Sequence, residues 1–292
     1  MNAFQKFVSA SAQVFESGKK LPPGNSKKPA LRSNGLKYAP TVLIFSPHPD
    51  DESIVGGLAL RLLREAEWNV VNVAMTLGSK RERQGRRRRE LQRACASLGF
   101  DLLIPDKRGL ERINPETRRK SRAHWQRAVK VISGILAEHR PRVIFVPHEN
   151  DGHPAHIGAH FLVLDALKRL PRDFGCFVVE TEFWGQMTNP NLLVESSAED
   201  VADLVAALAC HAGEMRRNPY HARLPAWMMD NVRRAEIVGG RGKVSPDFTF
   251  ATIYRLSQWR GGKLETVFNG GKVLSAAKSP ASLFGAVVVR KS

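Results

Sequence analysis

Two clusters of acidic and histidine side chains are the residues of this sequence best suited to chemistry. The first is Pro47–Glu52 (PHPDDE), which follows the apolar run 42–45, and the second is His148–His156 (HENDGHPAH), which follows the apolar run 143–146. Both runs have the length of a buried strand. Placing so many charged side chains at the end of a buried strand costs free energy unless they bind a ligand. In open α/β sheets, ligand sites form at the carboxyl ends of strands. Two such ends, far apart in sequence, predict one shared metal site.

The spacing within each cluster suits metal ligation. His48 and Asp51 are three residues apart on a tight turn, with Asp50 beside them. His153 and His156 have the same spacing at the start of a predicted helix, which places them on one face. Two ligands from the first cluster and one from the second would form a three-ligand site with an open position, as in catalytic zinc proteins. A neighbouring carboxylate could then act as general base, and a second histidine could stabilise an oxyanion or protonate a leaving group.

The elements that must position these clusters alternate along the chain. Apolar runs predict strands over 41–46, 69–75, 102–104, 142–147 and 175–183, and helical periodicity predicts helices over 53–66, 80–98, 118–138, 154–169 and 198–211. This alternation predicts an α/β fold with a Rossmann-like, mostly parallel sheet and helices on both faces. An irregular C-terminal extension follows, with further strands predicted over 248–256 and 286–290.

Composition divides the chain into three parts. Residues 1–38 read as a basic flexible N-terminal arm because 19–29 is rich in lysine and proline. Residues 39–215 form the Rossmann-like domain, and 216–292 its C-terminal part with additional strands. Neither a membrane-length apolar run nor a signal-peptide core is present, and three scattered cysteines indicate reduced thiols, so we expect a cytoplasmic protein.

The net charge of +17 at pH 7 implies attraction to anions. Its densest segment, Lys80–Glu90, is typical of a solvated helix face, and no aromatic residues are interleaved for stacking on bases. Nucleic acid is therefore not a favoured partner. Contact between the basic arm and an anionic membrane remains open, and a homo-oligomer is compatible with the sequence.

Four segments together resemble a known family. Pro47–Glu52 and Gly152–His156 are similar to the motifs of the PIG-L/LmbE family of zinc-dependent N-acetylglucosamine deacetylases. Between them, Thr76–Gly78 and Arg87–Glu90 resemble that family's threonine-glycine turn and its R-x-x-E helix. The resemblance runs from about residue 41 to residue 160. It implies a metal-dependent hydrolase that removes the acetyl group from an N-acetyl amino sugar conjugate by attack of metal-activated water.

The resemblance also implies roles for individual residues. The implied metal ligands are His48, Asp51 and His156, holding Zn²⁺ with Fe²⁺ as the alternative. Asp50 matches the general base, and His153 matches the histidine that stabilises the oxyanion and assists departure of the amine. Arg87 would hold substrate hydroxyls, and His211 resembles a histidine late in the family's pattern.

Two features leave alternatives open. The family commonly has His-Pro-Asp-His, and Ala155 stands where that aspartate would be. His153 then needs another partner, for which Asp151 is the candidate, or its acid role is weakened. Together with the high positive charge, the missing aspartate suggests an alternative function. In that alternative, the chain is a weakened deacetylase scaffold that binds a polyanion such as nucleic acid. Trp184 is a candidate substrate-wall residue, although a core or rim position accounts for it at least as well.

Overall fold

A computed structural model describes residues 1–24, 39–239 and 245–285 of the chain. Its strands are β1 (Thr41–Ser46), β2 (Asn69–Ala74), β3 (Asp101–Leu103), β4 (Val143–Pro147), β5 (Cys176–Thr181), β6 (Leu192–Ser196), β7 (Phe250–Arg260), β8 (Lys263–Thr266) and β9 (Lys272–Leu274). Its helices are α1 (Ala3–Lys19), α2 (Asp51–Ile54), α3 (Gly57–Ala66), α4 (Arg81–Leu98), α5 (Pro115–Lys120), α6 (Arg122–His139), α7 (Pro154–Leu167), α8 (Ala198–Ala209), α9 (Ala212–Met215), α10 (Tyr220–Arg233) and α11 (Ala235–Gly239). Short 3-10 turns cover Pro105–Lys107 and Pro280–Phe284.

The strands form one mixed sheet in the order β3-β2-β1-β4-β5-β7-β6-β9, with β8 paired to β7. The first five strands of the chain are parallel to one another. Strand β7 is antiparallel to its three partners, β5, β6 and β8. The predicted α/β fold with a mostly parallel sheet is therefore confirmed, and β6 is a strand that the sequence did not predict.

Each face of the sheet carries its own hydrophobic layer, as alternation along β1 shows. Val42 and Ile44 pack into the layer formed with α3, α4 and α8, whereas Leu43 and Phe45 pack into the layer formed with α6 and α7. All four side chains are buried. A strand buried on both faces reads as a continuous apolar run, which explains why β1 and β4 are visible in the sequence.

The C-terminal part is more regular than the sequence predicted. The strand predicted over 248–256 is observed as β7. The sequence did not predict α10, α11, β8 and β9. The strand predicted over 286–290 lies outside the described residues. The hydroxyl of Tyr254 in β7 donates to the Val55 carbonyl at 2.8 Å and accepts from the Leu58 amide at 3.1 Å. This strand therefore anchors the start of α3, directly after the acidic turn.

The N-terminal segment differs from the predicted flexible arm because it contains helix α1. The Asn2 side chain caps α1 in a capping box with Gln5. His221 of α10 lies 3.0 Å from the Gly18 carbonyl through Nε2, so the end of α1 contacts the body of the protein. In the described part of the chain, none of the helices combines the length and apolar character required to cross a bilayer.

Strand β5 buries a carboxylate, Glu180, near its carboxyl end. Its oxygens lie 3.7 Å from Nε of Arg255 in β7 and 3.7 Å from Nδ1 of His160 in α7. Burial raises the pKa of Glu180 to about 7, and the repulsion of Glu149 adds to this while Arg255 opposes it. A raised pKa means that the folded protein binds a proton more tightly than the unfolded chain does.

We expect this carboxylate to make folding stability pH-dependent. The stabilisation is fully present below the unfolded pKa, near 4.5, and is lost as the pH rises through about 7. Glu180→Gln should remove this pH-dependent decrease in the free energy of unfolding. The size of the pKa shift limits the decrease to about 3 kcal/mol. Denaturant unfolding from pH 4.5 to 8 measures it, with Glu138→Gln on the exposed face of α6 as control. An unchanged pH slope in Glu180→Gln would contradict the prediction.

Candidate metal centre and active site

The two polar clusters meet at the point where the strand order of the sheet reverses, between β1 and β4. Strands β1 and β4 are adjacent and parallel, and the chain continues from β1 to β2 on one side and from β4 to β5 on the other. Such a switch point leaves a crevice beyond the carboxyl ends of the two strands. Residues 47–51 follow β1 and 148–156 follow β4, so both polar loops border this crevice.

Three ligand atoms form a small triangle there. His48 Nδ1 lies 3.3 Å from His156 Nε2, and Asp51 Oδ2 lies 3.7 Å from the first nitrogen and 3.5 Å from the second. Atoms bound tetrahedrally to one ion at roughly 2.0–2.2 Å are roughly 3.3–3.6 Å apart. The donor set therefore fits a single metal ion. A hydrogen bond of 2.7 Å from the His48 amide to Asp51 Oδ2 closes the turn that carries two of the three side chains.

His153 lies beside this triangle rather than completing it. Ligand atoms of His48, His153 and His156 all lie within 4.8 Å of one another, a wider arrangement than the one that includes Asp51. We therefore include Asp51 in the candidate ligand set and place the His153 ring beside it. Its centroid is 4.8 Å from that of His48.

The structure pairs Asp151 with His156 and not with His153, which corrects the partner considered from sequence. Asp151 Oδ1 lies 3.0 Å from His156 Nδ1, and its other oxygen accepts from the Phe183 amide at 3.0 Å. Carboxylates commonly orient a metal-ligating histidine through its second nitrogen. Burial opposes protonation of His156, but the attraction of Asp51 and Asp151 raises its pKa.

The backbone next to Ala155 supplies the partner of His153. His153 caps α7, and its Nδ1 accepts a hydrogen bond of 3.2 Å from the Ala155 amide. Because Nδ1 accepts, a neutral ring carries its proton on Nε2. Burial lowers the pKa of His153, which favours this neutral form. The ring is thus oriented without the aspartate that Ala155 replaces, and its Nε2–H is available as a hydrogen-bond donor.

Asp50 is buried and held in an unusual backbone conformation. Its φ of 120° is rare for any residue with a side chain and is costly unless the surroundings enforce it. The Asp50 amide donates to Glu52 Oε2 at 2.9 Å, and the Arg87 guanidinium donates to the neighbouring Pro49 carbonyl at 3.1 Å. Burial and the adjacent Asp51 raise the pKa of Asp50 well above its ordinary value, whereas Arg87 opposes the rise.

A buried pair behind the site supports this conformation. Glu52 Oε1 lies 2.8 Å from His211 Nε2 and accepts from the Ser53 hydroxyl at 2.9 Å. Burial alone would raise the pKa of Glu52, but His211 and these hydrogen bonds hold it below its ordinary value. His211 therefore acts through Glu52 on the backbone of Asp50, a connection that the sequence alone did not reveal.

The turn Thr76–Gly78 explains how Arg87 is positioned. The Thr76 hydroxyl donates to the Pro47 carbonyl at 2.8 Å and accepts from the Gly78 amide at 3.1 Å. Gly78 has a φ of +87°, and a Cβ there would lie 2.4 Å from an Arg87 guanidinium nitrogen. The positive φ therefore favours glycine at this position, and a Cβ there would displace the Arg87 guanidinium from its place beside the acidic loop.

Trp184 lies at the rim of the site and is half exposed. Its ring centroid is 5.9 Å from that of His153 and 5.9 Å from that of Tyr220 in α10. Burial raises the pKa of Tyr220 to about 12, with smaller contributions from Glu214, Asp50 and Asp51. Tyr220 was not predicted, because it lies in a segment where the sequence shows no motif.

These features define a class of protein: an α/β fold with a candidate mononuclear metal centre at the switch point of its sheet, flanked by a buried carboxylate and an imidazole. Residues 43–167 match the family model described as GlcNAc-PI de-N-acetylase, or PIG-L. These residues are therefore similar to the PIG-L family, in agreement with the motifs found in the sequence.

Curated relatives are similar in sequence to this chain over part of their length. A 1D-myo-inositol 2-acetamido-2-deoxy-alpha-D-glucopyranoside deacetylase from Thermobifida fusca is 31% identical over 152 residues, which cover 43% of this chain and 53% of the relative. One of the same description from Nocardiopsis dassonvillei is 31% identical over 154 residues, with 44% and 55% covered. The chain thus spans about half the length of the relatives that it matches.

Solved structures share the fold at low sequence identity. N,N'-diacetylchitobiose deacetylase from Pyrococcus horikoshii matches with a TM-score of 0.52 at 18% identity, covering 90% of this chain and 94% of that one. The hydratase GalB from Pseudomonas putida matches with a TM-score of 0.54 at 15% identity, covering 74% and 95%. Because a deacetylase and a hydratase share this fold, these likenesses show the fold alone.

Proposed function

We propose that this protein is a metal-dependent hydrolase that removes the acetyl group from an N-acetyl amino sugar conjugate. Water adds across the amide, the C–N bond breaks, and the products are acetate and a free amine. The observation that carries this proposal is the triangle of His48, Asp51 and His156 ligand atoms, 3.3–3.7 Å apart, with Asp50 and His153 beside it. The match of residues 43–167 to the PIG-L family model and the similarity to sugar deacetylases support the same reaction.

We infer that His48, Asp51 and His156 hold the metal, with zinc as the ion and ferrous iron as the alternative. A His/His/carboxylate donor set in tetrahedral spacing suits zinc, and such ligands also accept iron. When bound, the ion supplies Lewis acidity that polarises the acetyl carbonyl and lowers the pKa of water. Asp151 would orient His156 through its second nitrogen.

The remaining residues would handle protons and the sugar. Asp50 accepts the proton of the attacking water. His153, with its proton on Nε2, donates a hydrogen bond to the carbonyl oxygen as negative charge develops. The proton that Asp50 takes up is delivered to the departing nitrogen, and collapse of the oxyanion that His153 stabilises expels the amine. Arg87 holds sugar hydroxyls near the acidic loop, and Trp184 offers its exposed face to the apolar side of the sugar ring.

The test is an amine-release assay on a panel of N-acetylglucosamine conjugates, with metal content measured on the same sample. We expect stoichiometric divalent metal, loss of turnover on chelation and recovery on adding zinc or ferrous iron. Deacetylation that persists at full rate in metal-free protein would refute the proposal. The intact orientation of His153 favours this enzyme over a weakened scaffold that binds a polyanion.

We also propose that α1 contacts an anionic membrane surface. Phe4 and Phe7 are 81% and 73% exposed, and Val8 and Val14 are exposed on the same side of the helix. Lys6 and Lys19 in the helix and Lys20 at its end carry positive charge, and Lys19 pairs with Glu16 at 2.6 Å. An exposed amphipathic helix with basic residues is suited to the headgroup region of anionic lipid.

Co-sedimentation with vesicles tests this contact. Binding should be stronger to vesicles containing phosphatidylglycerol than to pure phosphatidylcholine, and Phe4→Ser/Phe7→Ser should abolish it. Met229→Ser/Ile237→Ser, which removes two exposed apolar side chains outside α1, is the matched control. Equal binding by both double variants would rule out α1 as the contact.

A further inference from the structure

A buried ion pair joins the segment that follows β5 to the junction between α10 and α11. Glu182 and Arg234 are 2% and 3% exposed, and the guanidinium donates to both Glu182 oxygens and, at 3.2 Å, to the Met187 carbonyl. Replacing a buried ion pair by apolar side chains of similar size is often neutral or even stabilising. Stability alone therefore does not account for this pair, and the segment that it holds in place is the better guide to its role.

The pair closes the segment after β5 into a loop. Glu182 Oε2 accepts from the Met187 amide at 2.7 Å, while the Met187 carbonyl accepts from Arg234. Both ends of residues 182–187, here termed the β5 loop, are thus fixed to one guanidinium group. Met187 is buried as well, so these hydrogen bonds are shielded from water.

The β5 loop lies directly against the polar segment that follows β4. The Phe183 amide donates to Asp151 Oδ2 at 3.0 Å, and His148 Nε2 lies 2.8 Å from the Gly185 carbonyl. A Cβ on Gly185 would lie 2.6 Å from the Asp151 carbonyl oxygen, so the two backbones are in close contact. A displacement of the β5 loop would therefore move Asp151.

Asp151 connects this loop to a candidate metal ligand. Its Oδ1 lies 3.0 Å from His156 Nδ1, and the Phe183 amide holds its other oxygen. The side chain of Asp151 thus has one oxygen on the loop and one on the imidazole. Groups that orient a metal-ligating histidine in this way commonly contribute about 10–100-fold to metal affinity.

We propose that Glu182 and Arg234 are positioning residues of the metal centre: the pair fixes the β5 loop, and the loop holds Asp151 where it orients His156. This inference rests on the metal-dependent function proposed above. It gives the C-terminal part of the chain a role at the active site, because Arg234 lies outside residues 43–167, which match the family model.

The test is the zinc affinity of the full-length apoprotein, measured by competition with a chromogenic chelator. Glu182→Gln/Arg234→Met removes the ion pair without leaving an unpaired buried charge, and glutamine can still accept from the Met187 amide. We expect zinc affinity to fall by about tenfold, at the lower end of the range for groups that orient a ligand. Circular dichroism establishes that the variant is folded.

A second buried arginine provides a matched control. Arg61 in α3 pairs with Glu65 and donates to the carbonyls of Glu195 and Lys278 at 3.0 Å each. These partners lie in α3, in β6 and after β9, not in the β5 loop. Arg61→Met/Glu65→Gln makes the same chemical change and should leave zinc affinity unchanged.

A double-mutant cycle with Asp151→Ala tests the route of the effect. Because the pair acts through Asp151, its removal should lower zinc affinity by less than about twofold in the Asp151→Ala background. Arg234→Lys is a milder second variant that keeps the positive charge. A lysine cannot present the paired donors of a guanidinium, so we expect a smaller loss of zinc affinity in the same direction.

The outcomes separate this inference from the proposed function. Unchanged zinc affinity in both Arg234 variants would overturn the positioning role and, with deacetylation intact, leave the function standing. An equal loss in the Asp151→Ala background, or in the Arg61 control, would also overturn it, because the effect would then be general destabilisation. Zinc affinity that depends on the pair through Asp151, in a protein that releases no amine from any conjugate, would support the positioning role and refute the function.

Discussion

Asp50→Asn should reduce kcat for deacetylation by about 10²–10⁴-fold, the range expected when a general base is removed, while metal content stays unchanged. Asparagine keeps the size of the side chain but cannot accept the proton of water. It also tolerates unusual positive-φ conformations better than most residues, so the turn with φ 120° at this position should persist. Amine release and metal analysis on the same preparation measure both parts of the prediction.

Two further variants make this result interpretable. Asp203→Asn, in α8 at a partly exposed ion pair with Arg64 of α3, should leave kcat unchanged. Glu52→Gln should have an intermediate effect, because Glu52 contacts the Asp50 amide but not the substrate. Full activity in Asp50→Asn would remove the proposed base, whereas loss of metal together with activity would identify Asp50 as a ligand.

His156→Ala should lose the bound metal and with it all measurable turnover. The side chain is buried, and its Nε2 forms two edges of the ligand triangle, at 3.3 Å from His48 and 3.5 Å from Asp51. Removing it leaves two protein ligands, which is fewer than catalytic zinc sites retain. Metal analysis after dialysis, and thermal unfolding with and without added zinc, would report the loss.

A graded series separates metal binding from structural damage. Asp151→Asn should weaken metal affinity by about 10–100-fold, the usual cost of losing the group that orients a histidine ligand. His160→Gln is the control, because His160 is equally buried in α7 but faces the Pro147 carbonyl at 2.9 Å, away from the triangle. Retention of stoichiometric metal by His156→Ala would refute the ligand set.

The sequence alone determined the α/β class and the two loops that carry the chemistry. Strands β1 and β4 are buried on both faces and therefore appear as apolar runs, and the charged residues that follow them stand out for the same reason. His48, Asp50 and Asp51 lie within four positions of one another, so their proximity is a local property. The resemblance added roles that spacing leaves open, such as the choice of His156 over His153.

Other features depended on packing between distant parts of the chain. Only the tertiary structure paired Asp151 with His156, linked His211 to Asp50 through Glu52, and inserted β7 between β5 and β6. It also brought Tyr220 to the edge of the site, where its ring contacts Trp184. Composition and periodicity report which face of an element is buried, whereas the partner that covers that face is selected by long-range packing, and no local pattern encodes it.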